Sequence, residues 1–424
     1  MIDQFSPRPV ASRFLSGVIF LFPALALTAP FGVGIIEAAI LFAMVFFALP
    51  LWRQRSELFR PAGWIVAAFG VQLLMVAATM IWGGFSLRHL DNPSRQLLAV
   101  AIIGLIVLYR PRIEAFWYGL FAGTIAAAGI AVYQRFVLDL PRPPGFHMAI
   151  MFGDIAIVMG LMGLASIPLF ARRRTAILPY VAFLAGIAAS VLSGTRGGWM
   201  AIALAFIPLY FYGAPVMRRK LKVLITAIAV LFAGACFIPS LQVKERMIEA
   251  STEVEQYYDA GKASTSVGAR LEMWHGALIM FSEQPLHGVG YGKFNAGLRS
   301  LIARGKIDPA LAEFRHAHNE LLHMLATAGI IGAAALLFLY AAPLAFFVSV
   351  ARRNDSAKPY ALACILLVVS FIDFGLTQVL FSHHLGNAFY ALGISMLAGA
   401  CIMLRRNDRV APAAVRNVEV FEHA

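Results

Sequence analysis

Three histidines stand within nine residues at the point where a polar segment becomes strongly apolar, in the stretch RHAHNELLHMLATAGIIG at 315–332. An imidazole is nearly neutral at physiological pH and can take a proton from a hydroxyl group. His318 lies at the start of the apolar run, where Asn319 or Glu320 could orient its ring or a substrate. The pattern predicts His318 as a general base; a histidine that only caps or packs a helix start is the alternative.

The histidine spacing does not favour a metal site. His316, His318 and His323 are separated by two and five positions, so they do not share one helical face, and no HExxH motif occurs. His383 and His384 could complete a ligand set from another part of the chain. That arrangement stays open as the alternative, and we expect no metal.

Arginines are the second group that could carry chemistry. In SGTRGGW at 193–199, small residues flank Arg196 and would let a phosphate approach backbone N–H groups at a helix start. A guanidinium can hold phosphate oxygens in a bidentate fork. Arg270, one helical turn before Trp274, is the second candidate. Three others are assigned to the membrane interface, where arginines commonly snorkel: Arg88, Arg95 and Arg135.

The composition identifies the kind of protein in which these residues must be positioned. Of 424 residues, 60% are hydrophobic and 13% are charged, whereas soluble chains carry about 25% charged residues. Apolar segments long enough to cross a bilayer recur along the chain, which predicts helices rather than a barrel. The net charge of +13 comes from basic clusters between apolar segments. Such clusters indicate topology signals rather than nucleic-acid binding.

The apolar segments predict an all-α polytopic membrane protein with about twelve transmembrane helices. The predicted spans lie near 14–30, 33–51, 62–83, 96–109, 113–137, 147–170, 176–193, 198–213, 221–238, 319–350, 359–381 and 385–404. The tenth run is too long for one straight span, so we expect it to tilt or to project beyond the membrane. Three regions follow: helices 1–9 at 1–238, a large loop at 239–317, and helices 10–12 with a tail at 318–424.

Basic residues alternate between the two sides of these spans. The strongly basic connections, together with both termini, fall on one side, which the positive-inside rule makes cytoplasmic. The large loop at 239–317 therefore lies outside the cytoplasm. It is predicted to be mostly helical, with Ser266 as the N-cap of a helix that carries apolar residues at helical spacing: Leu271, Trp274, Leu278 and Phe281. The GVGYG segment that follows at 288–292 is not a dinucleotide-binding motif, because no strand precedes it.

Three stretches resemble the motifs of one family. In HNELLHMLATAGIIG, four residues fit the pattern H-[NSQ]-x9-G-x-x-[GTY]: His318, Asn319, Gly329 and Gly332. ARLEMWHGALIMFSEQPLHGVGYGKF at 269–294 is similar to a loop signature in which Arg and Trp precede Pro-Leu-x-Gly-x-Gly-x-Gly-x-Phe. SGTRGGW is similar to an arginine motif flanked by small residues. Together the stretches resemble the O-antigen ligase and polymerase superfamily of bacterial envelope glycosyltransferases.

This resemblance implies an inverting transfer of glycan from an undecaprenyl-diphosphate carrier. In the ligase, the acceptor is a sugar hydroxyl on lipid A–core. The family's catalytic histidine corresponds to His318, and its two essential arginines correspond to Arg196 and Arg270. The arginines would bind the diphosphate and stabilise its growing charge. The resemblance implies no metal, nucleotide sugar or other cofactor, because the lipid diphosphate is already a good leaving group.

Other residues are candidate substrate contacts. Asn319 and Trp274 lie beside the two main motifs, and LPRPPGFH at 140–147 adds Arg142 and His147, although a rigid loop is the more usual role of such prolines. We expect the site to face the periplasm from a bacterial inner membrane, with both termini cytoplasmic, and to draw the lipid-linked donor from the bilayer.

Three alternatives remain. An O-antigen polymerase would use the same donor with a second lipid-linked repeat as acceptor, and an O-linked protein oligosaccharyltransferase would modify Ser or Thr. The short tail after the twelfth span favours the ligase over the protein-modifying enzyme. A lipid or solute transporter is the non-enzyme alternative, and it would gain if Asp154 or Asp373 were essential and His318 dispensable. Glu37, inside the second span, has no role in any of these interpretations.

Overall fold

The computed structural model describes residues 9–195, 197–215, 252, 265–353 and 355–421. Arg196, the predicted span at 221–238 and most of the first half of the large loop lie outside these residues. Within the described ranges every regular element is helical and no strand occurs. The predicted all-α class is therefore confirmed for this part of the chain.

Helices of ten or more residues are labelled in chain order. They are α1 Pro9–Leu25, α2 Gly32–Arg53, α3 Gly63–Gly83, α4 Asp91–Tyr109, α5 Ala115–Phe136, α6 Ala149–Leu164, α7 Leu178–Leu192, α8 Met200–Tyr212, α9 Ser266–Glu283, α10 Phe294–Ala303, α11 Glu320–Ala351, α12 Lys358–Phe374 and α13 His384–Phe421. Shorter helical segments are Arg55–Phe59, Arg60–Ala62, Leu87–Leu90, Ile167–Phe170, Gly197–Trp199 and Pro309–Glu313.

Six helical segments of the described chain are long and apolar enough to cross a membrane, judged by length and composition: Gly32–Arg53, Arg55–Gly83, Leu87–Tyr109, Ala115–Phe136, Glu320–Ala351 and His384–Asp408. Shorter apolar helices accompany them: Pro9–Leu25, Ala149–Leu164, Leu178–Leu192 and Gly197–Tyr212. The chain is therefore a polytopic membrane protein. The number of twelve spans and their orientation stay predictions.

Helix α13 forms the centre of the apolar bundle. The most apolar part of this helix is 94% buried. The helix packs along α4 and also against α12. Gly399 allows the close approach to α4, because a Cβ atom there would lie 3.2 Å from the Ile103 carbonyl oxygen. A helix that is apolar all round is stable only when other helices enclose it. The helices around α13 therefore form one continuous core.

Three of the carboxylates inside predicted spans, Glu37, Asp154 and Asp373, lie at helix junctions. Glu37 pairs with Arg95, which also pairs with Asp91. The assignment of Arg95 to the snorkelling arginines is therefore wrong, because a buried carboxylate holds it between two helices. Asp373 accepts a hydrogen bond from the Ala201 amide at the start of α8, and Asp154 lies against Gly198 just before that start.

The described part of the large loop has a small hydrophobic core of its own. Helix α9 is confirmed, but its N-cap is Thr265, which accepts from the Gly268 amide, and not Ser266. Leu278 is 49% exposed, and the buried face of α9 consists of smaller or more flexible side chains that pack on α10: Ala269, Met273, Ala277 and Met280. Ala317 and Ala326 belong to the same core, so the start of α11 is built into the loop.

Helix α11 is broken at Gly329, whose φ of 63° and ψ of −155° are accessible only to glycine. At the break, two amides and two carbonyl groups of α11 have no partner within the helix. The loop after α9 bonds to all four. The bonds run from Val289 N to Ala326 O, Gly290 N to Thr327 O, Ile330 N to Pro285 O and Ile331 N to Leu286 O. The over-long tenth run is therefore two helical pieces that meet at Gly329. Its expected tilt or projection beyond the membrane stays a prediction.

Gly329→Ala should destabilise the protein, because a Cβ atom there would lie 2.4 Å from the Leu286 carbonyl group and the backbone would be strained. Such a conformation costs about 1–3 kcal/mol in a residue other than glycine. We expect the melting temperature of the detergent-solubilised protein to fall by several degrees. The matched control is Gly70→Ala in α3, where nothing lies within 4 Å of the new methyl group. Equal melting temperatures for the two variants would contradict this account of the break.

Candidate functional site

His318 is held in a strained backbone conformation immediately before α11. Its φ is +48°, in the left-handed region that few non-glycine residues adopt. The preceding carbonyl group, of Ala317, accepts a 2.9 Å hydrogen bond from the indole Nε1 of Trp274. The following residue, Asn319, caps α11 by accepting from the Leu322 amide. Trp274 and Asn319 thus fix the backbone on either side of His318. A strained residue held in this way is typical of a functional site.

The same helix start is joined to the loop between α12 and α13. The Asn319 side chain donates to the Leu376 carbonyl oxygen at 3.2 Å. Glu320 is 1% exposed, and its Oε2 accepts from the amides of Leu380 and Phe381 at 2.6 and 3.1 Å. Charge-assisted bonds of this kind are the stronger ones in proteins. They bring the loop at 375–383 against His318.

Three histidines meet where these segments converge. The ring centroid of His318 lies 4.3 Å from that of His316, which lies 5.7 Å from that of His383. Burial lowers the pKa of His318 to about 4, and the positive charge of Arg270 and the proximity of His383 contribute. Burial also lowers the pKa of His316 to about 3. The rings are therefore neutral at pH 7 and able to accept a proton.

Among the described residues, no group of three or more His, Cys, Asp or Glu side chains could hold a metal ion. The three clustered rings thus do not form a ligand set. Independence from metal in any reaction stays a prediction.

Two arginines lie next to the histidines. Burial lowers the pKa of Arg270, and the positive charge of Arg142 lowers it further, so the two guanidinium groups are close. In the described part of the chain, neither forms an ion pair with Asp or Glu. Arg270 is half-buried and Arg142 is exposed. Two like charges close together are unfavourable unless an anion joins them. The pair therefore has the character of an anion site.

The segment that carries the third arginine is also at this place. The Nε of Arg142 donates to the Ser193 carbonyl oxygen at 3.4 Å, and a Cβ atom on Gly194 would contact Arg142. On the far side of Arg196, a Cβ atom on Gly197 would lie 2.3 Å from the Oγ1 of Thr377. The side chain of the next residue, Gln378, lies beside the His318 ring. Arg196 itself is outside the described residues, and its role stays a prediction.

The candidate substrate contacts fall in different places. Arg142 lies beside Arg270. The Nε2 of His147 lies 3.2 Å from the Ala26 carbonyl oxygen, and its contact with a substrate stays a prediction. The polar atoms of Trp274 and Asn319 are already used to position His318. Their contribution is to hold the imidazole, and direct contact of these residues with a substrate stays a prediction.

Some neighbours of His318 were not recognised from the sequence. Gln378 and His383 come from a loop more than fifty residues further along the chain, and no local pattern marks them. The signal that existed was the HH pair at 383–384 between two apolar segments, at a predicted membrane boundary. The sequence alone predicts this pair only as a possible source of metal ligands.

The part of the chain that carries the site is similar to a known protein family. Residues 181–337 match the family model described as O-Antigen ligase, and this range contains Arg196, Arg270 and His318. Over these residues the chain is similar to O-antigen ligases. The resemblance stated from the motifs is therefore confirmed for this range, and it implies an enzyme of the glycosyltransferase type.

Three relatives extend the comparison. The chain is 26% identical over 311 residues to a Haemophilus influenzae protein described as uncharacterized, covering 72% of this chain and 77% of that protein. It is 25% identical over 181 residues to the O-antigen ligase of Escherichia coli, covering 42% of this chain and 40% of the ligase. It is 28% identical over 184 residues to the O-antigen ligase of Salmonella typhimurium, covering 42% of each. The match thus spans about two fifths of either ligase.

Glu320→Ala should lower stability more than the loss of an ordinary surface carboxylate. It leaves the buried amides of Leu380 and Phe381 without their acceptor, and an unsatisfied buried donor costs about 1–3 kcal/mol. We expect a clear fall in melting temperature in detergent. Glu313→Ala is the control, because the Glu313 side chain is 91% exposed and its pair with Arg299 is long, at 3.9 Å. A Glu320→Ala protein as stable as the control would show that the carboxylate does not join the two segments.

Proposed function

We propose that this chain is an O-antigen ligase that transfers a glycan from undecaprenyl diphosphate to a sugar hydroxyl of lipid A–core. The observation that carries the proposal is the meeting of Arg142, Arg270 and His318 at one place. A pair of arginines without carboxylate partners suits a diphosphate, and a neutral imidazole beside them suits proton removal from a hydroxyl. The O-antigen ligases of Escherichia coli and Salmonella typhimurium among the relatives support this choice of reaction.

In the proposed reaction, the acceptor hydroxyl oxygen attacks the anomeric carbon of the donor sugar. The new C–O bond forms as the bond between that carbon and the diphosphate oxygen breaks, so the configuration inverts. The hydroxyl proton goes to the imidazole of His318. The electron pair of the broken bond goes to the diphosphate, where Arg142 and Arg270, together with Arg196, stabilise the added charge.

The same charges connect donor binding to the basicity of His318. In the free protein, Arg270 lowers the pKa of His318, which makes it a weak base. A bound diphosphate would neutralise the arginines and so raise that pKa, because the nearby positive charge that opposed protonation is compensated. The imidazole becomes a stronger base only when the donor is in place.

The lipid part of the donor needs an apolar path to this place. Phe146 and Met148, which follow the Arg142 loop, are 48% and 47% exposed. Exposed apolar side chains at the edge of a membrane bundle suit an isoprenoid chain. We infer an inner-membrane enzyme whose site faces the periplasm, as the distribution of basic residues predicts.

His318→Ala, Arg270→Ala and Arg142→Ala should each abolish most of the transfer. Purified protein is given undecaprenyl-diphosphate glycan and lipid A–core in the presence of EDTA, and glycosylated lipid A–core is measured. We expect the rate to fall about 100- to 10,000-fold without the base and about 100- to 1,000-fold without one charge-stabilising donor. The matched controls are His275→Ala and Arg299→Ala, whose side chains are 53% and 62% exposed on the same loop.

The products distinguish the candidate reactions. Longer glycans on the lipid carrier, with no transfer to lipid A–core, would make the protein a polymerase. If transfer persists in His318→Ala while the melting temperature is unchanged, His318 is not the general base for any acceptor. Transfer that disappears with EDTA and returns with a divalent cation would overturn the metal-free mechanism.

The pH dependence should report the lowered pKa of His318. The rate requires the neutral imidazole, so kcat/KM should fall on the acid side with a midpoint near pH 4 and not near the ordinary histidine value of 6.5. The midpoint for kcat, which reports the donor complex, should lie at higher pH because the bound diphosphate compensates the arginines. Arg270→Gln should shift the kcat/KM midpoint upward. Recovery of activity after return to neutral pH controls for unfolding, and coincident kcat and kcat/KM midpoints would contradict the coupling.

A further inference from the structure

A second polar cluster, formed by Glu37, Arg95 and His384, joins α2, α4 and α13 beside the histidines. The Oε2 of Glu37 accepts from the Nη1 of Arg95, and the Nε2 of His384 lies 3.2 Å from that carboxylate oxygen and 3.0 Å from the Arg95 nitrogen. Glu37 is 5% exposed. A carboxylate so deeply buried in a membrane helix is unfavourable unless it is paired and has a task. None of the reaction steps above uses it.

The cluster is attached to the site through two consecutive histidines. His384 faces Glu37, whereas His383, the residue before it, lies 5.7 Å from His316 and is close enough to His318 to lower its pKa. Helix α13 begins at this point, because the His383 carbonyl oxygen accepts from the Asn387 amide. A change in where α13 begins would therefore move a ring of the histidine cluster.

Helix α4 holds the same junction at a second place. The side chain of Asn92 donates to the Phe381 carbonyl oxygen at 3.0 Å, and the side chain of Asn387 donates to the Asn92 carbonyl oxygen at 2.8 Å. Asn92 and Arg95 lie within one turn of each other at the start of α4. This turn therefore holds both the loop before α13 and the first residues of α13.

We propose that Glu37, with Arg95 and His384, is a positioning site for the histidine cluster. It sets where α13 begins, and through His383 it sets the surroundings of His318. The inference rests on the proposed function only for the role given to His318. Sites that transfer protons need their groups held to within a fraction of an ångström, and a displacement of about 1 Å can reduce a rate about 100-fold.

Glu37→Gln is the central variant. It should fold, because Arg95 keeps Asp91 as its partner at 3.1 Å. We expect kcat for glycan transfer to fall about 10- to 100-fold, as the loss of such supporting groups does elsewhere, with KM for the donor unchanged. Glu37→Asp, which keeps the charge, should recover part of the loss. The matched control is Asp355→Asn, which removes the charge from the 3.3 Å pair with Arg405, about six turns further along α13, and should leave transfer unchanged.

A double-mutant cycle tests whether the effect passes through His383. Glu37→Gln and His383→Ala should be strongly non-additive in kcat, because both disturb the same ring. Glu37→Gln and Arg142→Ala should be additive, because Arg142 binds the diphosphate. Additivity of Glu37→Gln with His383→Ala would overturn the proposal, since Glu37 would then act independently of the histidine cluster.

Hydrogen exchange tests the positioning without any activity. In Glu37→Gln, peptides covering 376–387 should exchange about tenfold faster than in wild type, whereas Asp355→Asn should leave them unchanged. Equal exchange in Glu37→Gln and wild type would overturn the proposal even if transfer fell. If wild-type protein transferred no glycan at all, the proposed function would fail, and the exchange measurement would still decide whether Glu37 holds the start of α13.

Discussion

The break in α11 at Gly329 is the constraint on which the arrangement of the site depends. A helix interrupted in a membrane protein must find other partners for its separated amides and carbonyl groups. Here the loop after α9 supplies them on both sides, through four backbone hydrogen bonds. That loop is covalently continuous with the helix of Arg270, and α11 begins next to His318. This backbone exchange therefore fixes the helix of Arg270 relative to His318.

Positive charge is compensated at one place in the described chain and not at another. Arg142 and Arg270 lie close together without an Asp or Glu partner among the described residues. Burial and the charge of Arg270 both oppose protonation of His318. Arg95, by contrast, pairs with Glu37 and Asp91. The compensated arginine joins helices, whereas the uncompensated pair suits the anion of the proposed reaction.

The sequence was sufficient for the features that depend on local pattern. Apolar run length predicted the all-helical class, and the motif around His318 predicted the helix start that Asn319 caps. It was insufficient where backbone groups pair across long separations. The motif identifies Gly329, but nothing in the local sequence shows that residues 285–290 bond to the backbone groups on either side of it. The predicted N-cap of α9 is wrong by one residue, because Thr265 and Ser266 are equally suitable capping side chains. The partners of Glu37 lie 58 and 347 positions away, beyond any periodicity argument.

The start of α11 shares a hydrophobic core with the loop, through Ala317 and Ala326, while the rest of that helix belongs to the membrane bundle. Substitutions in two cores act independently on stability only where the cores are well separated. Here Ala326 of the loop core and Met324 of the bundle core lie two positions apart on the same helix. A substitution on the loop side of this helix therefore also alters the packing of the apolar bundle.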